Sequence, residues 1–158
     1  MSKQALEAED RAAPYEEDFY LWLLGQAELL RQGRVQDLDL ENLAEEVESI
    51  GRSDKREVCN RLVTLMAHLL KYDYQSEKRT RSWRATIREQ RRQLELLFQD
   101  SPSLKKTFAP TILSDGFHEA KLEADDETGL GFDTFPETCP HGLEQLLDDD
   151  FFPEAPNG

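Results

Sequence analysis

Cysteine is scarce in this chain, and positive charge is in deficit. The two cysteines, Cys59 and Cys139, stand far apart and outside any C-x-x-C pattern. That spacing argues against a structural disulfide in a reducing compartment and reads both as inert thiols. A Gly-rich phosphate loop, a G-x-S-x-G elbow and zinc-ligand spacing are all missing, which removes the commonest nucleotide-binding, acyl-transfer and zinc classes. No apolar run approaches the roughly 18 residues that span a bilayer. The first ten residues, Met1-Ser-Lys-Gln-Ala-Leu-Glu-Ala-Glu-Asp10, lack the apolar core of a signal peptide, so a cytoplasmic location without membrane attachment is expected. No segment alternates apolar and polar residues for long enough to predict a sheet. With 19 Lys+Arg against 33 Asp+Glu, the net charge of −14 makes most of the surface repel nucleic acid.

What is present is helical periodicity. A length of 158 residues and 38% hydrophobic content suit one small helical domain. It is expected over residues 15–153, between a loose tail at 1–14 and a short one at 154–158. Glu16, Glu17 and Asp18 open a first helix near Tyr15, with Phe19, Trp22, Leu23, Gln26, Leu29 and Leu30 at helical spacing and Gly33 as its stop. Leu40, Leu43, Val47, Ile50, Val58, Leu62, Leu65, Leu69 and Tyr72 then form a long stripe, interrupted by Gly51, which leaves open one helix or two. Ser82 is the expected cap of a third helix. Ser101-Pro102 restarts a fourth, which Pro110 and Gly116 are expected to kink or break, before Gly129 ends it. Aromatics set between Pro and Gly, from Phe132 to Phe152, predict a C-terminal segment wrapped on the core. The expected fold is all-α and four-helix-bundle-like, with a long central helix and an extended C-terminal wrap.

Several short motifs carry a family resemblance: Tyr15-Glu-Glu-Asp-Phe-Tyr-Leu-Trp22, Leu40-Glu-Asn-Leu-Ala-Glu-Glu-Val-Glu48 with Gly51, His68-Leu-Leu-Lys71, Ser82-Trp83, Ser101-Pro-Ser-Leu104, Glu127-Thr-Gly-Leu130, and Phe135-Pro136 through Phe151-Phe-Pro153. With these the chain resembles the bacterial family catalogued as domain of unknown function 29, from about Tyr15 to Pro153. The resemblance implies an all-α bacterial cytoplasmic domain and implies no activity.

Three constellations have chemical potential. On a wheel of roughly 100° per residue, Glu46, Glu57, Arg61 and His68 share one flank of the apolar stripe. Arg61 and His68 have the R-x6-H spacing of the HEPN superfamily of helical ribonucleases, in which His is acid or base and Arg steadies phosphate. The plainer alternative is a Glu57–Arg61 pair and a core-edge histidine. Glu45 and Glu46, with Glu123 and Asp126, are candidate Mg²⁺ ligands of a nucleotide hydrolase, against a solvated acidic surface. Arg84, Arg88, Arg91 and Arg92 form a basic helical face within residues 71–106, where ten Lys+Arg meet five Asp+Glu. That face suits acidic neighbours in the same bundle or an acidic partner protein better than nucleic acid. The favoured function is a protein-interaction or scaffold module, possible also as a homodimer, with no cofactor expected. The alternative is a HEPN-like ribonuclease or Mg-dependent nucleotide hydrolase using Glu46, Arg61 and His68.

Overall fold

A computed structural model describes residues 14–153. The tails expected at 1–14 and 154–158 therefore lie, apart from Pro14, outside the described residues. Among the described residues the fold is all-α, with no strand. The helices are α1 (Phe19–Arg31), α2 (Leu40–Tyr74), α3 (Arg81–Asp100), α4 (Ala109–Thr128) and the short α5 (Leu143–Leu147). The chain forms two compact units, 1–52 and 53–158, with the boundary inside α2.

The first unit is a helical hairpin. Asp18 caps α1, its carboxylate accepting the Leu21 N–H at 3.0 Å, so the helix begins four residues later than Tyr15. Gly33 supplies the left-handed backbone, φ +68°, that turns the chain out of α1. Asp39 opens α2 and ties it back to α1. Its backbone N–H donates to the Gln26 side chain at 2.8 Å, and its carboxylate accepts from Trp22 Nε1 at 3.1 Å. Before α1, the Tyr15 hydroxyl donates to Glu46. Partner numbers fall as residue numbers rise, which makes the pair antiparallel. Trp22 and Leu29 are its buried apolar residues.

In the second unit Val58, Leu62, Leu65, Met66 and Leu69 of α2 meet Ile87, Leu94 and Phe98 of α3 and Ile112, Phe117, Ala120 and Ala124 of α4. Phe135 and Leu146 close this core from the C-terminal segment. Each such Leu or Ile contributes about 1.5–3 kcal/mol by leaving water.

Gly51, Ser82, Pro110 and Gly116 are the points at which the structure answers or departs from the sequence reading. α2 runs unbroken through Gly51, because one exposed glycine costs only about 1 kcal/mol within a long helix. α3 is capped by Thr80, whose hydroxyl accepts the Trp83 N–H at 3.2 Å; Ser82 is the second residue of the helix and meets the Thr80 hydroxyl instead. At Pro110 the regular helix is interrupted on the N-terminal side: a π-helical turn at Leu104–Phe108 precedes α4 and puts the proline in its first turn, where its missing N–H is not needed. Gly116 sits where α4 meets α2. A Cβ there would lie 3.1 Å from Val63 Cγ2, so the glycine serves close approach rather than bending.

These two glycines predict opposite outcomes. Gly51→Ala adds a methyl with nothing within 4 Å and should raise the unfolding free energy by about 0.5–1 kcal/mol. Gly116→Ala must push Val63 aside and should give no gain. Paired denaturant melts measure both; destabilisation by Gly51→Ala would contradict a continuous helix.

Candidate functional site

The polar flank of α2 divides into separate local arrangements. His68 Nδ1 lies 3.0 Å from the Thr64 carbonyl oxygen. A carbonyl can only accept, so Nδ1 carries the proton and Nε2 faces Lys71 Nζ, at 3.4 Å, as an acceptor. Lys71 is only 3% exposed, yet its ammonium donates to Glu127 at the end of α4 and lies 5.1 Å from the centre of the Trp83 ring. Burial first, then the Lys71 charge, pulls the His68 pKa below the ordinary imidazole value. Burial, seconded by Glu127, pushes the neighbouring Glu123 carboxyl up. Both imidazole nitrogens are thus engaged within the fold.

Arg61 has other company. Its Nε donates to Glu57 at 2.9 Å and its Nη1 to Gln90 of α3 at 3.1 Å. It lies in an open groove with Ser53, Arg56, Asn60 and Thr64, whose lining does not include His68. In the first unit Glu46 accepts from Tyr15, and Glu45 pairs with Arg52 at 2.6 Å. In the second unit Glu123 is half-buried and Asp126 exposed. Among the described residues no group of three or more His, Cys, Asp or Glu side chains is placed to hold a metal ion.

The basic face of α3 has one buried member, Arg91, while Arg84, Arg88 and Arg92 are exposed. Arg91 is 2% exposed. Its Nε donates to the Leu146 carbonyl at 2.6 Å and its Nη2 to the Phe151 carbonyl at 2.7 Å. Arg84 donates to the Tyr72 hydroxyl at 3.2 Å, and the guanidinium groups of Arg84, Arg88 and Arg91 gather over the Phe152 ring at 4.8, 5.7 and 5.2 Å. Arg79 adds a bond to the Pro153 carbonyl at 3.1 Å. Arg92 is exposed and forked onto Glu89. The sequence pointed to acidic helices as the internal partners; the partners are backbone carbonyls and aromatic rings of the C-terminal strap. Cys139, on the same segment, is half-buried, and its thiol donates to the His141 carbonyl at 3.3 Å.

The first unit carries the exposed apolar surface. In α1 only Gln26, Glu28 and Arg31 are polar, and the side away from Trp22 and Leu29 leaves Phe19, Tyr20, Leu24 and Leu30 exposed. A helix apolar on most sides ordinarily lies inside a fold. On α2, Leu40, Val47 and Ile50 are 62–66% exposed. At roughly 100° per residue, Phe19, Leu23 and Leu30 lie about 60–100° on from Trp22, and Ile50, Leu43, Val47 and Leu40 about 40–120° on from Glu46, in the same rotational sense. In an antiparallel pair, equal rotations bring both sets to one side of the hairpin. Sequence reasoning had these residues in the core stripe.

The family model described as "Domain of unknown function DUF29" matches residues 14–152. The chain belongs to the DUF29 family. No curated protein and no solved structure gives a significant match. In this DUF29 chain, motifs that carried the resemblance at the sequence level converge in space. His68, Lys71, Trp83 and Glu127 come from three helices and form the cluster just described around the buried Lys71 ammonium. Lys71 is the member that sequence reasoning overlooked, because a lysine at the end of a helix normally reads as a solvated charge.

Two measurements probe this geometry. His68 should titrate below the ordinary imidazole value of about 6.5 in a two-dimensional NMR titration. Because its folded pKa is depressed, its stabilising contribution is present above the ordinary value and lost as the pH falls through the lower one. An upward shift would mean that Lys71 is not its neighbour. Arg91→Lys removes the fork that spans two carbonyls and should destabilise the chain by about 2–3 kcal/mol. Limited proteolysis should then cut the 142–153 segment sooner than in the wild type.

Proposed function

We propose that this DUF29 chain is a protein-interaction module and that its binding surface is the apolar face of the N-terminal hairpin. One observation carries the reading: α1 is apolar on nearly every side, yet only its Trp22–Leu29 side is covered within the chain. Apolar patches of this kind on a small unit mark sites where something else is buried. Phe19 and Leu30 of α1, with Leu40, Val47 and Ile50 of α2, are its anchors. The bonds from Trp22 and Gln26 to Asp39, and from Tyr15 to Glu46, hold the two rows in register, so that the face is formed before a partner arrives. The hydrolytic alternative through Glu46, Arg61 and His68 draws no support from the geometry, since each of the three is occupied by a different neighbour.

Exposed anchors can be removed at little cost to folding. Phe19→Ser, Val47→Ser and Ile50→Ser together should leave the melting temperature within a few degrees of wild type while sharply lowering the binding of a hydrophobic dye. Proximity labelling in cells of the source organism should then lose labelled proteins. The same labelled set with wild type and variant would sink the reading.

A further inference from the structure

Given that this face binds protein, its surroundings specify the chemistry of what it binds. Residues 14–52 hold ten carboxylates against three arginines, a net charge of −7. All three arginines are paired inside the unit: Arg31 with Glu28, Arg34 with Asp37, and Arg52 with Glu45 and Glu48. On α2 the exposed carboxylates of Glu41 and Glu48 lie roughly 80–100° on from Leu40, along the outer border of the apolar row. On α1 the corresponding border, Tyr20 and Leu24, holds one charge, the exposed Arg31, which is paired with Glu28. The face is thus an apolar strip with carboxylates along its α2 border and none along its α1 border.

We infer that the strip receives an amphipathic helix of a partner protein, bearing Lys or Arg along one border of its apolar row. A second copy of this chain is a poor occupant, because it would set a unit of −7 against another of −7, and like charges across an interface suppress association. An anionic membrane and a nucleic acid fail for the same reason. A helix is favoured because two antiparallel helices leave a groove along their length that a third helix fills by ridges-into-grooves packing. The register follows from α2. Glu41 and Glu48 are two turns apart, roughly 10 Å along the axis, so the partner's basic residues stand seven positions apart on the matching border. Its contacts to Val47, Ile50 and Phe19 supply affinity, and its basic border supplies orientation and a salt-sensitive association rate.

The test is a displayed library of helical peptides with a fixed apolar row at i, i+3, i+4 and i+7 and randomised flanking positions, sorted against the full chain. The enriched peptides should carry Lys or Arg on one border at a seven-residue interval. Their affinity should fall roughly tenfold or more with Val47→Ser/Ile50→Ser, and by about tenfold with Glu41→Lys/Glu48→Lys. Exchanging the peptide's basic residues for Glu should restore binding to that charge-reversed variant. Circular dichroism melts of both variants establish that they are folded. Enrichment of neutral or acidic borders, or binders indifferent to Val47→Ser/Ile50→Ser, would overturn the inference. Sedimentation as a dimer that Val47→Ser/Ile50→Ser dissociates would also overturn it, while leaving the face as an interaction surface. No enrichment and no dimer would remove both the inference and the reading on which it rests.

Discussion

The buried guanidinium of Arg91 is the constraint from which the C-terminal half of the second unit takes its form. A charge taken out of water needs every donor satisfied. Arg91 finds two of its acceptors in the carbonyls of Leu146 and Phe151. The Leu146 carbonyl belongs to the last turn of α5, where helical carbonyls have no partner of their own. Its Nη1 is buried without a hydrogen-bond partner, so the side chain is only partly satisfied, while it supplies a donor to a five-residue helix too short to be stable alone. With the strap fixed, Phe152 lies among Arg84, Arg88 and Arg91 and against Tyr72, at 5.4 Å, and Leu146 is delivered into the core. Of a basic row that looks like a surface for phosphate, Arg91 is in this way turned inward, and Arg84 and Arg88 stay exposed beside the Phe152 ring.

Much of the fold was legible because helical periodicity and end signals are local. The four main helices, the Gly129 stop and the apolar C-terminal segment all follow from spacing and from Gly and Pro chemistry. What was not legible depends on long-range partners. Arg91 and Arg92 are adjacent and chemically identical, yet one is buried on carbonyls and the other is solvated. Periodicity says which residues of a helix share a face, not what that face meets. The stripe of α2 shows this most plainly. From Val58 to Tyr72 it is core, and from Leu40 to Ile50 the same spacing is exposed. The wheel also placed Glu46, Arg61 and His68 together, but 22 residues of helix are about 33 Å long, and each of the three found its own neighbours.

The two units hold together by different means. The second has a contiguous apolar core to which α2, α3, α4 and α5 all contribute. The first has Trp22 and Leu29, with Gln26, Asp39 and Tyr15 bonding across the hairpin. A hairpin that depends on a few polar ties and leaves its largest apolar surface outside is near the lower limit of what two helices can sustain alone. Its acidity has a physical use beyond steering a partner. Mutual repulsion keeps such hairpins from adhering to one another through the same apolar face.

The placement of Trp22 and Trp83 has a spectroscopic consequence. The chain has two tryptophans, and each lies in a different unit. The Trp22 indole N–H is bonded to a carboxylate, while the Trp83 ring lies under the Lys71 ammonium. The two fluorophores therefore sit in opposite electric fields, one drawn toward a negative charge and the other beneath a positive one. Each unit carries its own intrinsic optical reporter, so that the loosening of the hairpin and the melting of the core are separable in a single unlabelled sample.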